Sequence, residues 1–339
     1  MQENCDIATM KLMLPFEPKP SKHTLSYADK LLLLGSCFSD YIGMQLQRAK
    51  FQVLFNPTGI VFDPISLSRH LEDYATCKQY AVDELFLYNE LWQSWFHHSD
   101  FSSINQQHTL KHINDAIQLA HQQLLSSAFL FITLGTAYSY QLKKESTPVA
   151  NCHKAPKEWF NKKLLSIEEI TTALTYAITT IRKLNPSLQI VFTVSPVKHI
   201  RDGIVENNRS KARLIEAANQ LAEVVEECSY FPAYELVTDV LRDYRFYAQD
   251  MAHPNQQAIE FVFEHFCQTY MNDNTKQLMD DVMQIVSAKS HRPLNPNTAA
   301  HQQFLKTFLD KTNSLGKILP MLHWDDEVHY FSTHPSTNQ

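Results

Sequence analysis

Five short stretches of this chain are almost continuously apolar, and no other feature restricts its fold so sharply. They are residues 30–34 (KLLLL), 51–55 (FQVLF), 128–134 (AFLFITL), 189–194 (QIVFTV) and 230–235 (YFPAYE). Strands read this way when both faces are covered, because neither set of alternating side chains meets water. Between them the apolar period lengthens to three or four residues. Ile113, Ile117, Ala120 and Leu124 form one such set, and Ile167, Ile170, Leu174, Ile178 and Ile181 another. Leu214, Ala218, Leu221 and Val225 repeat the pattern, as do Ile259, Val262, Phe263 and Phe266. Each set occupies one face of a helix, and Ser166 with Glu169 makes a capping box at the start of the second. Strands alternating with helices specify an α/β fold, a parallel sheet covered on both faces. Pro232 puts the last run at a sheet edge or breaks it.

Glycine is scarce, at 6 of 339 residues. Gly35, Gly59, Gly135 and Gly203 each follow a predicted strand, which directs them to one edge of the sheet. In an open parallel sheet that edge carries the ligand crevice. Residues 72–105 break the alternation with Tyr74, Tyr80, Phe86, Tyr88, Trp92, Trp95 and Phe96, and read as an aromatic-rich insertion. Trp95, His97 and His98 in it are candidates for a wall or lid over the crevice. The tail carries helical patterns near 275–287 and 297–314, the turn RPLNPN, and a strand signal in VHYFS at 328–332. The organisation expected is an α/β domain over 1–284 and a helical extension over 285–339 that packs on it.

A formal charge of −6 without any basic stripe excludes a nucleic-acid partner. No apolar run approaches the roughly 20 residues of a membrane helix, and the first residues never develop a signal-peptide core. No membrane partner and a cytoplasmic location are therefore expected. Cysteines 5, 37, 77, 152, 228 and 267 are scattered without a CxxC pair, as reduced thiols are. No phosphate-binding glycine motif occurs, and His108 with His112 has helical spacing but no reinforcing ligand. Neither a metal nor an organic cofactor is expected.

Two places carry chemistry. LLLLGSCFSD (31–40) sets Ser36 and Cys37 at the end of the first strand, and YAQDMAHP (247–254) sets Asp250 three residues before His253 after the last. A carboxylate and an imidazole so spaced fit one turn at a helix start, the first orienting the second toward a nucleophile. A nucleophile early and Asp-x-x-His late resembles the SGNH/GDSL hydrolases. GSCFSDYIG (35–43) resembles the signature of the GSCFA family within that superfamily. The likeness continues through FNPTGIVFDP (55–64), SWFHHSDFS (94–102), TLGTAYSY (133–140), NCHK (151–154), TVSPVKHIRDG (193–203), SKA (210–212) and HRPLNP (291–296).

The resemblance implies a three-layer αβα, flavodoxin-like sheet and acyl-ester chemistry, hydrolysis or transfer, on a small-molecule or glycan substrate such as an acetylated carbohydrate. Laid without a gap on the superfamily's Gly-Asp-Ser-Leu block, Cys37 takes the nucleophile's place, with Ser36 the alternative. Its thiolate would be favoured by a helix N-terminus and a protonated imidazole. The resemblance assigns His253 as base, Asp250 as its orienter, and the Cys37 and Gly59 N–H groups as oxyanion donors. The third block reads Gly135-Thr136-Ala137, with Ala137 where the superfamily has Asn. Thr136, Tyr138 and Asn151 are the side chains placed to replace that donor, with His98 nearby as a substrate contact. A binding protein that keeps the fold without catalysis is the alternative.

Overall fold

A computed structural model describes residues 14–333, so Cys5 lies outside the described residues. The chain runs β1 (Lys30–Gly35), α1 (Cys37–Arg48), β2 (Gln52–Phe55), α2 (Pro64–Thr76), β3 (Phe86–Tyr88), β4 (Leu91–Gln93) and α3 (Gln106–Ser126). Next come β5 (Ser127–Leu134), β6 (Tyr138–Leu142), β7 (Pro148–Val149), β8 (Phe160–Leu164), α4 (Ile167–Arg182), β9 (Gln189–Val194), α5 (Ile204–Val224) and β10 (Cys228–Phe231). The remainder is helical: α6 (Ala233–Glu235), which continues as a π-helix to Leu241, then α7 (Gln256–Tyr270), α8 (Asp273–Ser290), α9 (Ala299–Ile318) and α10 (Asp325–Ser332).

The main sheet has five parallel strands in the order β10-β9-β5-β1-β2. Period-2 burial sorts each strand between two cores. Leu32, Leu34, Leu130, Ile132, Ile190 and Phe192 face α2, α3, α4 and α5. Leu31, Leu33, Phe129, Phe131 and Val191 face α1, α7 and the tail helices. Three layers result, and a fully buried side chain such as Leu32 contributes about 1.5–3 kcal/mol by leaving water. From β1 the chain moves outward to β2, then returns to β5 on the other side. The β1/β5 boundary is thus the switch point, outside which ligands of flavodoxin-like sheets bind.

Several local expectations need correction. The run at 230–235 is strand only to Phe231, at the sheet edge, and Pro232 leads into α6. VHYFS is not a strand but the end of α10, where Glu327 and Phe331, one turn apart, are both buried. Residues 72–76 belong to α2, so the insertion begins after Thr76. The helix expected near His253 begins only at Gln256, capped by Asn255. A second sheet, β7-β6-β8, is antiparallel and follows directly from β5.

The insertion is pinned by buried imidazoles. His70 bonds Thr58 Oγ1 at 2.7 Å and the Phe96 carbonyl at 2.6 Å, and His97 bonds Ser94 Oγ at 2.9 Å. Trp95 stacks on Phe86 with ring centroids 3.7 Å apart, and His97 is 1% exposed. His97 is core, whereas Trp95 is only partly buried against its cluster. At the other end of the fold, buried Glu327 accepts from Lys50 at 2.9 Å and Lys289 at 3.1 Å, tying α10 to the end of α1 and to α8.

Candidate active site

Gly35 ends β1 with φ +131, and its N–H donates to Asn56 Oδ1 at 2.8 Å. Asn56 Nδ2 in turn donates to Asp40 Oδ1 at 2.6 Å, so the exits of β1 and β2 are locked together. The Ser36 N–H donates to Thr133 O on β5 at 3.1 Å. Ser36 is the N-cap of α1: it is 2% exposed and its Oγ accepts the Phe38 N–H at 3.2 Å. Cys37, the first helical residue, is only partly buried, and its N–H has no acceptor within the helix. Burial, then the Asp40 carboxylate, push its thiol above the ordinary range; the N–H groups of Cys37 and Phe38 and the Lys211 ammonium oppose them and lose. The helix N-terminus acts in the expected direction but does not by itself yield a thiolate.

Asp250 and His253 sit in a turn before α7. Asp250 Oδ1 accepts the N–H groups of Ala252 and His253 at 2.9 and 3.0 Å, and Oδ2 accepts His253 Nδ1–H at 2.6 Å. Those bonds, the His253 N–H foremost, hold the carboxyl down at about 2. With Nδ1 committed, neutral His253 presents Nε2 as an acceptor, on a side chain 41% exposed. The turn is anchored by Lys198 N–H to Ala252 O at 3.0 Å and Ala248 N–H to His253 O at 2.8 Å, which seats it against the exit of β9. Tyr41, one turn along α1 from Cys37, has its phenol raised by burial and then by the charges of Cys37 and Asp250. One side chain thus lies in electrostatic reach of both halves of the predicted constellation.

The expected oxyanion donors fare differently. The Gly59 N–H is spent inside its own turn on Asn56 O at 2.9 Å, so it is not free. Gly135 gives its N–H to Phe62 O at 2.8 Å. The Thr136 hydroxyl is shared with Ser210 Oγ at 3.0 Å and accepts the Tyr138 N–H at 3.2 Å. Ser210 also takes the Ala137 N–H at 2.7 Å. The Tyr138 hydroxyl donates to Glu206, and burial first, then that carboxylate, raises the phenol to about 12. Asn151 Oδ1 accepts the His153 N–H at 2.8 Å as a loop contact. His98 packs where a Cβ on Gly59 would fall, with Nδ1 3.1 Å from the Asp100 carboxylate and its charge reaching Asp40. Of the two expected N–H donors, the Cys37 N–H is the one with no backbone acceptor among the described residues.

One residue was not anticipated. Lys211, on α5, is 1% exposed and donates to Gly135 O at 2.6 Å and Ser195 O at 2.7 Å. Burial brings its ammonium down to about 7, a fall that the Cys37 thiol opposes. His199, after β9, is pushed to about 3 by burial, then by Lys211 and His253, and its Nε2 is buried without a partner. The signal for Lys211 was available: it lies three residues before Leu214 on the apolar face of its helix, where a cation is out of place. Elsewhere, His112 stacks on Phe101 at 4.2 Å, and no group of three metal-ligating side chains occurs among the described residues. No helix among them is long and apolar enough to cross a membrane.

The main sheet is parallel, its switch point falls at the Gly-Ser-Cys turn, and the Asp-His turn is seated against the exit of β9. Residues 30–266 match the GSCFA family and residues 282–334 match "GSCFA domain protein, C-terminal domain"; the chain belongs to the GSCFA family. No curated protein matches it. Among solved structures, it is similar to a carbohydrate esterase family 3 from Talaromyces cellulolyticus (10% identity, 75% of this chain and 99% of that one, TM-score 0.35). It is also similar to a Clostridium thermocellum family 3 carbohydrate esterase (9% identity, 74% and 98%, TM-score 0.35). Likeness of that degree assigns no chemistry to this chain.

Proposed function

We propose that the protein cleaves or transfers the acyl group of a small-molecule or glycan ester through Cys37, His253 and Asp250. The observation that carries this reading is the Asp250 clamp on His253, which spends both carboxylate oxygens and leaves Nε2 as the ring's proton acceptor. Cys37 is preferred to Ser36 because Ser36 is buried and caps α1, while Cys37 is partly exposed at the helix start. The resting thiol is protonated, so attack needs a base. Sγ bonds to the acyl carbon as its proton passes to Nε2, and the Cys37 N–H receives the developing oxyanion. Collapse expels the alcohol, which takes the proton back from Nε2 and leaves a thioester. Water or an acceptor hydroxyl then repeats the sequence with His253 again as base.

The test is hydrolysis of p-nitrophenyl acetate by the wild type and single variants. Cys37→Ala and His253→Ala should lose about a thousandfold or more in rate. Ser36→Ala should keep most of the rate while losing about 1 kcal/mol of stability with its cap. Wild-type rates in both Cys37→Ala and Ser36→Ala would end this reading. A non-catalytic binder is favoured by one observation, that the Gly59 and Gly135 N–H groups and the Thr136 hydroxyl are spent within the protein. Covalent labelling by a fluorophosphonate or iodoacetamide probe that depends on His253 separates the two.

A further inference from the structure

If Cys37 is the nucleophile, one charged group in its surroundings still lacks a role. Lys211 is 1% exposed, and its Nζ is fixed by the Gly135 and Ser195 carbonyls at 2.6 and 2.7 Å. Those carbonyls lie just past the C-terminal ends of β5 and β9, which are neighbours in the sheet. Cys37 lies just past the end of β1, on the other side of β5, with Ser36 N–H bonded to Thr133 O at 3.1 Å. Thr133 and Gly135 are two residues apart, so ammonium and thiol flank a single strand end. Two neutral carbonyls do not compensate a desolvated cation; the ionisable groups that face it are the Cys37 thiol, the neutral His199 imidazole and Tyr234, whose ring centroid is 5.9 Å from Nζ, and of these only the thiol can supply a negative charge near neutral pH. The carboxylate of Asp40, one turn further along α1, acts on that thiol in the opposite sense.

We propose that Lys211 is a positioning residue for Cys37, its buried ammonium holding the thiolate that forms when the thiol proton leaves. This rests on the reading of Cys37 as nucleophile. The step is a proton transfer alone: the S–H bond breaks, the proton goes to His253 Nε2, and Lys211 keeps its own three protons. Coupling between the two sites is reciprocal, so the thiolate also favours the charged lysine. The consequence is a pH signature. While Lys211 is charged, thiolate is more abundant at a given pH; once Lys211 loses its proton, that advantage disappears.

The experiment follows alkylation of Cys37 by iodoacetamide across pH 5–10 on the full chain, read by peptide mass spectrometry with Cys77 as internal standard. Only thiolate reacts, so the rate reports its fraction. The wild-type profile should rise, flatten into a shoulder near pH 7 where Lys211 titrates, and rise again. Lys211→Met should react about tenfold more slowly below pH 7, one unit of thiol shift, and rejoin the wild-type curve at high pH. Lys211→Arg, which keeps its charge, should extend the fast branch through pH 8 without a shoulder. A single sigmoid in the wild type overturns the inference, and that arm needs no variant to fold. So does a folded Lys211→Met protein whose curve superposes on the wild type. Alkylation reads the thiol and not ester turnover: a missing shoulder with intact hydrolysis sinks this inference alone, whereas a shoulder without hydrolysis sinks the proposed function.

Discussion

Adding one methyl group at position 35 tests how the crevice rim is built. Gly35 and Gly203 both have positive φ, +131 and +95, so alanine at either is strained by about 1–3 kcal/mol. Their surroundings separate them. A Cβ at 203 meets nothing within 4 Å. At 35 it falls 2.8 and 2.9 Å from the Thr133 C and N and closer still to the carbonyl oxygen, inside the 3.0 Å that real Cβ atoms respect. Those atoms are backbone and cannot swing aside. Relief requires β1 to part from β5 at the Gly35–Thr133 pair and to give up the Ser36 N–H to Thr133 O bond. That bond is worth about 1 kcal/mol, and loosened packing beneath it adds a similar amount. Gly35→Ala should therefore cost about 3–5 kcal/mol and Gly203→Ala about 1–3. Urea unfolding of both variants, compared by midpoint at unchanged slope, measures the difference. A Gly35→Ala protein no less stable than Gly203→Ala would refute the account of the β1 exit as wedged against β5.

Two further perturbations address the insertion and the tail. His97 is held well below its ordinary range by burial first and then by His70, Arg69, His153 and Lys78. The unfolded chain takes up that proton near pH 6.5 and the folded chain does not, so the stability present above pH 6.5 is lost as pH falls, by up to about 2 kcal/mol at pH 5. The drop in denaturant midpoint from pH 7 to 5 should shrink in His97→Gln, and equal drops would contradict the assignment. Burial opposes the Glu327 charge, yet Lys50 and Lys289 override it and hold the carboxyl below its ordinary range. Glu327→Gln should cost about 2 kcal/mol by weakening two charged hydrogen bonds, read by urea unfolding at pH 7.5; no loss would show the tail is held by its apolar contacts alone.

What could be read in advance follows from where the physics is local. The five parallel strands were legible because burial on both faces leaves runs such as AFLFITL, and no other element here looks like that. β8 was missed because it carries exposed Asn161, Lys162 and Lys163 in five residues, which dilutes any alternation. VHYFS misled for the converse reason: β-prone residues sit in a helix because Phe331 packs on Phe308, a tertiary contact 5.7 Å between rings. Asp250 and His253 were recognisable by spacing, but not the device that holds them. Backbone N–H groups accepted by Asp250, not helix geometry, form their turn, with α7 starting later at Gln256. The fate of the Gly59 N–H was invisible in sequence, since its acceptor is a backbone carbonyl, which every residue has.

The same distinction bears on Ser36 and Cys37. An N-cap side chain is spent on the helix it begins, because the first turn has orphan N–H groups and the cap oxygen is the nearest acceptor. Ser36 meets that need and is buried in doing so. The next residue is the first whose side chain is not required by the helix, while its own N–H remains free to donate outward. A nucleophile at that position receives a donor from the backbone but not necessarily a low pKa, and here burial and Asp40 prevail over the helix terminus. A thiol so placed needs two further things, an acceptor for its proton and a counter-charge for its sulfur. His253 is oriented for the first, and Lys211 is the cation fixed beside the same strand end. On this argument the base and the cation have separate tasks, so losing the lysine should alter when the thiol ionises, whereas losing the imidazole should remove where its proton goes.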